Sequence, residues 1–316
     1  MLVKRARRSP LRTGLHAAAE PHPEEPHPLH GSASPMTTPE TTMPDTLAGR
    51  YAHTCQRVAD AAAKSGRRPE DIILVAVTKN AEPEQIREVL ALGHRDLGEN
   101  RVQQFVQRAA MVQEYLDRLK LHPTGKPDAA AILAETAGRT LNGQSPGTIP
   151  DTVRWHMIGH LQRNKVRKVV EFCKLIHSVD SLRLAEEIQQ VAVRREQPVD
   201  VLVQVNCSLE PQKYGCPIGA AIPLCEQIDT MVNVRVRGLM TMAAQTDDET
   251  QTRAAFARCR ELFEEARKRG VTDSRCNILS MGMSNDFEIA IEEGANIVRV
   301  GTAIFGEHRP ESDDQP

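Results

Sequence analysis

Lys79 is the residue best placed to do chemistry. It closes the stretch Ile72 to Asn80, IILVAVTKN, whose apolar, β-branched run reads as a strand buried on both faces, the kind found in parallel sheets. A lysine at the C-terminal lip of such a strand stands where α/β proteins put their chemistry. Near a dry interior its amine would shed a proton and attack a carbonyl. The plainer alternative is a strand-end lysine pointing into solvent. A second group lies in LSMGMSNDFEIAIEEG at 279–294. Gly282 lets backbone approach a ligand closely, and Ser284 is a natural N-cap for the helix carrying Phe287 and Ile291. Free N–H groups at a helix N-terminus make an anion site. Gly301-Thr302 would supply the second half of a phosphate cup, although either piece alone is also what an ordinary helix cap looks like. The third feature is Arg299, inside the apolar run IVRVGT. A charge there is costly without a partner. A guanidinium is a permanent donor, and it suits an acceptor such as an unprotonated ring nitrogen.

The elements that must position these residues alternate strictly. Strands are predicted over 72–77, 95–98, 153–158, 175–179, 199–205, 234–240, 277–280 and 297–300. Each but the last is followed by a helical pattern, and one further helix, over 46–65, precedes them. Such alternation demands a parallel sheet, and eight units of this size make a single (β/α)8 barrel of the TIM type with an extra N-terminal helix. An open doubly wound sheet would show a glycine-rich phosphate turn after strand one, and there is none. In a barrel all strand C-termini face one mouth, which gathers Lys79, Asn100, His160, Ser178, Asn206, Thr241, residues 280–284 and Gly301-Thr302. An amine, a phosphate cup and an arginine facing a ring acceptor together describe pyridoxal 5′-phosphate held as a Schiff base.

Composition narrows the alternatives. The 316 residues carry 40 basic and 42 acidic side chains, so the chain is not an electrostatic nucleic-acid binder, and 3% aromatic residues do not build a base-stacking platform. No apolar run approaches the ~20 residues of a membrane span. Seven scattered cysteines without a CxxC pair fit reduced thiols and a cytoplasmic protein. Cys207 and Cys216 read as inert. Residues 1–44 begin basic and continue rich in Pro, His, Ser and Thr with no apolar core. They read as a disordered extension outside the fold, ahead of a barrel domain over 45–310 and a tail at 311–316. Residues 121–150 read as a surface excursion. His156 and His160 have a metal-ligand spacing but straddle a strand end and lack a third ligand, so no metal is expected. Arg163, Lys165, Arg167 and Lys168 read as a solvated helix face.

The motifs VAVTKN (75–80), LGENRVQQ (97–104), WHMIGHLQRNK (155–165), HSVDS (177–181), VQVN (203–206), KYG (213–215), RGLMTM (237–242), LSMGMSNDFEIAIEEG (279–294) and VRVGTAIFGEH (298–308) occur in this order across the barrel. The chain therefore resembles the pyridoxal phosphate homeostasis proteins, relatives of the N-terminal barrel of alanine racemase. The resemblance implies Lys79 as the Schiff-base lysine. It implies Ser284, Gly301, Thr302 and the Met283 backbone at the phosphate, Arg299 at the pyridine nitrogen, and Asn100 and His160 near the cofactor face. Arg299 would leave the ring a weak electron sink, and two-base racemisation needs a second base, which the racemases take from a second domain. Of the three tyrosines only Tyr214 is expected at the mouth. The expectation is a cytoplasmic, monomeric binding protein without catalytic residues. It would carry and buffer the cofactor in vitamin B6 and amino-acid homeostasis and hand it to pyridoxal-phosphate-dependent apoenzymes. Alternatives are a racemase of the alanine racemase type and a scaffold whose basic 163–168 face binds a partner.

Overall fold

The computed structural model describes residues 44–121, 149–272 and 275–307. Eight parallel strands close into a barrel in sequence order. They are β1 (Ile73–Val77), β2 (Asp96–Glu99), β3 (Arg154–Met157), β4 (Cys173–Val179), β5 (Val199–Gln204), β6 (Val234–Met240), β7 (Ile278–Ser280) and β8 (Ile297–Val300). Pairing of β1 with β8 seals the ring, with Val75 opposite Arg299. The expected extension before residue 44, nearly all of the expected excursion and the tail beyond 307 lie outside the described residues.

Side-chain alternation divides the packing in two. Leu74 and Ala76 join the large core between strands and outer helices. Val75 joins Leu175, Leu202, Met240 and Ile297 in a smaller cluster inside the barrel. The outer ring comprises α2 (Pro83–Ala91), α3 (Val102–Leu121), α4 (Val166–Val170), α5 (Leu182–Arg194), α6 (Ala221–Asp229), α7 (Glu249–Lys268), α8 (Phe287–Glu292) and α9 (Thr302–Phe305). The helices expected over 164–172 and 218–231 are shorter, each opening with a 3₁₀ turn. The four-residue α9 has no counterpart among the expected elements. The extra helix α1 (Leu47–Lys64) packs on α2, α8 and α9. Thr46 Oγ1 caps it through Gly49 N at 3.1 Å. Arg57 grips Glu288 with two 2.7 Å bonds, and Arg50 Nε donates to Ile304 O at 3.0 Å. Thus α1 holds the two short helices that follow the loops of interest. No helix among the described residues is long and apolar enough to cross a membrane.

Candidate functional site

Lys79 stands two residues past the end of β1 and is exposed, the plainer of the two readings its strand-end position allowed. Its backbone is held from below. Arg108, from α3, donates to Thr78 O, to the buried Glu99 carboxylate at the end of β2, and to Ala81 O at 2.9 Å. Thr78 Oγ1 donates to the same Glu99 oxygen. Carbonyls on either side of Lys79 are thereby clamped by one guanidinium whose charge is matched by a fully buried carboxylate. Neither Arg108 nor Glu99 was marked by the sequence.

The loops after β7 and β8 meet beside this turn. Gly282 has a positive φ of 89°, and a Cβ there would stand 2.8 Å from Phe287 Cα. Glycine is required on both counts. The expected cap is corrected by the structure. Ser284 does not cap its own helix: α8 begins at Phe287, with Asp286 at its N-cap position. Ser284 Oγ instead accepts from Gly301 N at 3.2 Å and from Ala303 N at 3.5 Å, across to the start of α9. Asp286 Oδ1 accepts from Met283 N at 2.5 Å. Burial raises the Asp286 carboxyl, against the Met283 bond and the charges of Arg299 and Lys213. The cup thus has its amides gathered, with Ser284 and Asp286 as their acceptors. Gly301 lies against β1, where a Cβ would stand 3.3 Å from Val77 O. Thr302 is exposed at the rim.

Arg299 is 3% exposed on β8. Nη1 donates to Ser280 Oγ at 2.6 Å and Nη2 to Thr241 O at 2.9 Å. These use two of the guanidinium's five N–H groups. Burial pulls its pKa down to about 10, and Asp286 works against that pull. The group is therefore cationic at neutral pH.

Asn100 and His160 come together on a groove of about 510 Å³ that Arg101, Gln103, Lys165 and Lys168 also line. Asn100 Oδ1 is buried without a hydrogen-bond partner among the described residues. The structure places His160 at the rim, exposed and stacked on Tyr214 with ring centroids 4.3 Å apart. Asn206 is consumed by its own loop, binding Glu210 O, Ser208 Oγ and Leu209 N. Ser178 Oγ is buried without a hydrogen-bond partner among the described residues, and Thr241 Oγ1 donates to Val205 O at 2.8 Å. His156 turns into the barrel, away from His160, and binds Asp96 and His177. Arg163, Arg167 and Lys168 are exposed, as a solvated face requires.

These residues fit the phosphate, ring and aldehyde of pyridoxal 5′-phosphate. The Ser284–Gly301 contact sits against Val77, two residues before Lys79, and Arg299, on β8, lies two residues before Gly301, just past that strand's end. Lys79, the Ser284–Gly301 contact and Arg299 therefore share the β7–β8–β1 seam, with Asn100 Oδ1 at the end of the neighbouring β2.

Residues 50–309 match the family model for the alanine racemase N-terminal domain. The pyridoxal phosphate homeostasis protein of Pseudomonas aeruginosa is 35% identical over 261 residues, which cover 83% of this chain and 95% of that one. A solved protein of unknown function from Bifidobacterium adolescentis is 35% identical, with a TM-score of 0.67, over 84% of this chain and 98% of that one. PipY of Synechococcus elongatus, solved with pyridoxal phosphate bound, is 31% identical with a TM-score of 0.60, over 83% of this chain and all of PipY.

Proposed function

We propose that this chain, which belongs to the pyridoxal phosphate homeostasis protein family built on the alanine racemase N-terminal barrel, holds pyridoxal 5′-phosphate reversibly and releases it to apoenzymes. When bound, the cofactor brings an aldehyde, which condenses with a primary amine. Lys79 is the amine, exposed at the mouth and fixed by the Arg108 clamp on its backbone. Ser284, the Met283 and Gly301 amides and Thr302 take the phosphate. The carboxylate of Asp286 yields Met283 N to it. Arg299 donates to the ring nitrogen, and Asn100 and His160 flank the cofactor face. The observation that carries this assignment is the packing of the Ser284–Gly301 cup against the end of β1, two residues before Lys79.

Arg299 also disfavours most carbanion chemistry, although the related racemases, by resemblance, tolerate such an arginine. It stays protonated at neutral pH and cannot give a proton to the ring nitrogen as a carboxylic acid would. The ring it holds is a poor electron sink. The protein acts as a monomer with little or no catalysis. The test is to load full-length protein with pyridoxal 5′-phosphate, add a pyridoxal-phosphate-dependent apoenzyme, and follow the apoenzyme's activity. In parallel, L- and D-alanine are incubated with the loaded protein and their enantiomers separated. Recovery of apoenzyme activity with no inversion of alanine is expected. Inversion at a rate proportional to protein, abolished by Lys79→Ala, would make it a racemase instead.

A further inference from the structure

A file of polar side chains runs through the inside of the barrel from β3 to β8. Arg154, at the start of β3, donates to Asp96 Oδ2. Asp96 Oδ1 lies 3.1 Å from His156 Nε2, and His156 Nδ1 lies 3.0 Å from His177 Nε2. His177 Nδ1 lies 3.0 Å from Ser280 Oγ, which accepts from Arg299 at 2.6 Å. Every member beyond Arg154 is at most 3% exposed. The pattern spans sequence separations of up to 103 residues.

The chemistry of the members restricts where the protons lie. Asp96 is a carboxylate and can only accept, so His156 carries its proton on Nε2. The Nδ1 of a neutral His156 must then accept, which places a proton on His177 Nε2. His177 Nδ1 accepts in turn, and the hydrogen facing it is the Ser280 hydroxyl's. With that hydrogen committed, Ser280 Oγ turns a lone pair to Arg299. The reverse order would give Ser280 two donors, His177 Nδ1–H and Arg299 Nη1–H. Its own hydrogen would then have no described acceptor, a costly state in a buried site. Only one order satisfies every group.

We infer that this file is proton-ordered from Arg299 towards Asp96, and that His177 and His156 are positioning residues that make Ser280 an acceptor and so aim Arg299. The order rests on the file alone. Its consequence for a ligand rests on the assignment of Arg299 to the cofactor ring. Asp96, which touches neither His177 nor Ser280, sets the tautomer of both ends of the file.

Histidine tautomers of the full-length, cofactor-free protein are read from long-range ¹H–¹⁵N correlations. In the native protein both His156 and His177 should carry the proton on Nε2. Asp96→Asn gives a remote readout. Arg154 only donates, so the new amide turns its oxygen to Arg154 and its NH₂ to His156; both histidines should switch to Nδ1–H, at the cost of leaving the Ser280 hydrogen without a described acceptor. Ser280→Ala leaves Asp96 in place, so His177 should keep its Nε2 proton; this variant reads the order even where Asp96→Asn fails to fold. A native His177 protonated on Nδ1, an unswitched His177 in Asp96→Asn, or a switched one in Ser280→Ala would each overturn the order. At the cofactor end, His177→Phe should weaken pyridoxal 5′-phosphate about tenfold, the scale of one hydrogen bond to a charged group. His177→Gln, whose amide can accept from Ser280 and donate to His156, should restore most of that affinity. Equal affinities for the Phe and Gln variants would overturn the aiming role while leaving the tautomer result standing. Failure of the native protein to bind the cofactor would instead sink the proposed function.

Discussion

Arg108→Met tests the support beneath Lys79. Arg108 is the ion-pair partner of Glu99, whose side chain is fully buried while that of Arg108 is 18% exposed. Among the described residues Glu99 Oε2 already lacks a hydrogen-bond partner, and Oε1 would keep only the Thr78 hydroxyl. Removing one partner of a buried pair strands the other charge, which costs about 3–5 kcal/mol. The released carbonyls of Thr78 and Ala81 flank the Lys79 turn, so the damage should be local as well as global. Urea unfolding of the full-length protein reads the global term. Amide hydrogen exchange over 78–81 reads the local one, and Arg108→Met should speed it before any other strand end responds. Adding Glu99→Gln should recover part of the lost stability, because a neutral amide replaces the stranded charge. A loss below about 1 kcal/mol with unchanged exchange at 78–81 would refute the clamp, since that is the scale of a surface ion pair.

Three further outcomes follow from the same geometry. Ser284→Ala removes the acceptor shared by Gly301 N and Ala303 N and should weaken pyridoxal 5′-phosphate by about fivefold to tenfold, on the scale of one net hydrogen bond, with little change in the urea midpoint; calorimetric titration measures it. Gly282→Ala places a Cβ 2.7 Å from Ala290 Cβ at a positive φ and should cost roughly 1–3 kcal/mol in urea unfolding. Asp96 gives an acid dependence. Burial pushes its carboxyl up, but the bonds and charges of His156 and Arg154 outweigh that and hold it at about 2, below the ordinary 3.8. Because the folded value is the lower one, its stabilisation, of order 2 kcal/mol, is present above about pH 4 and lost as pH falls through about 2. Asp96→Asn should lose that stability at pH 7, with the gap to the native protein closing towards pH 2 in a pH series of urea titrations.

The barrel was legible because short apolar, β-branched runs such as β1 alternate strictly with helical patterns, even where a strand such as β6 is interrupted by arginines. Strands β6 and β8 begin and end at the expected residues, 234–240 and 297–300. Lys79, Arg299 and the two glycine-bearing loops drew attention for a related reason: a polar residue at the end of such a run, or inside it, needs an explanation. The same signal was present in Asp96, Glu99, His156 and His177, which also lie in strands, but pairing them requires knowing the register of the closed sheet. Ser284 shows a different limit. The local string SND marks a helix start, yet it cannot say that the serine serves amides at Gly301 and Ala303. Arg108 was hidden because it sits on the inner side of an amphipathic helix among residues that look solvated, and its partners arrive from β1 and β2. The exposure of Lys79 was one of the two readings its strand-end position allowed, and the structure takes it because the strand's dryness ends at Thr78.

The central claim is that Lys79 is the residue that takes the cofactor. Full-length protein incubated with pyridoxal 5′-phosphate, reduced with borohydride and digested for peptide mass spectrometry tests it most directly. A single phosphopyridoxyl adduct on Lys79, absent from Lys79→Ala, is the predicted result. An adduct centred on another lysine, or undiminished adduct formation in Lys79→Ala, would contradict it.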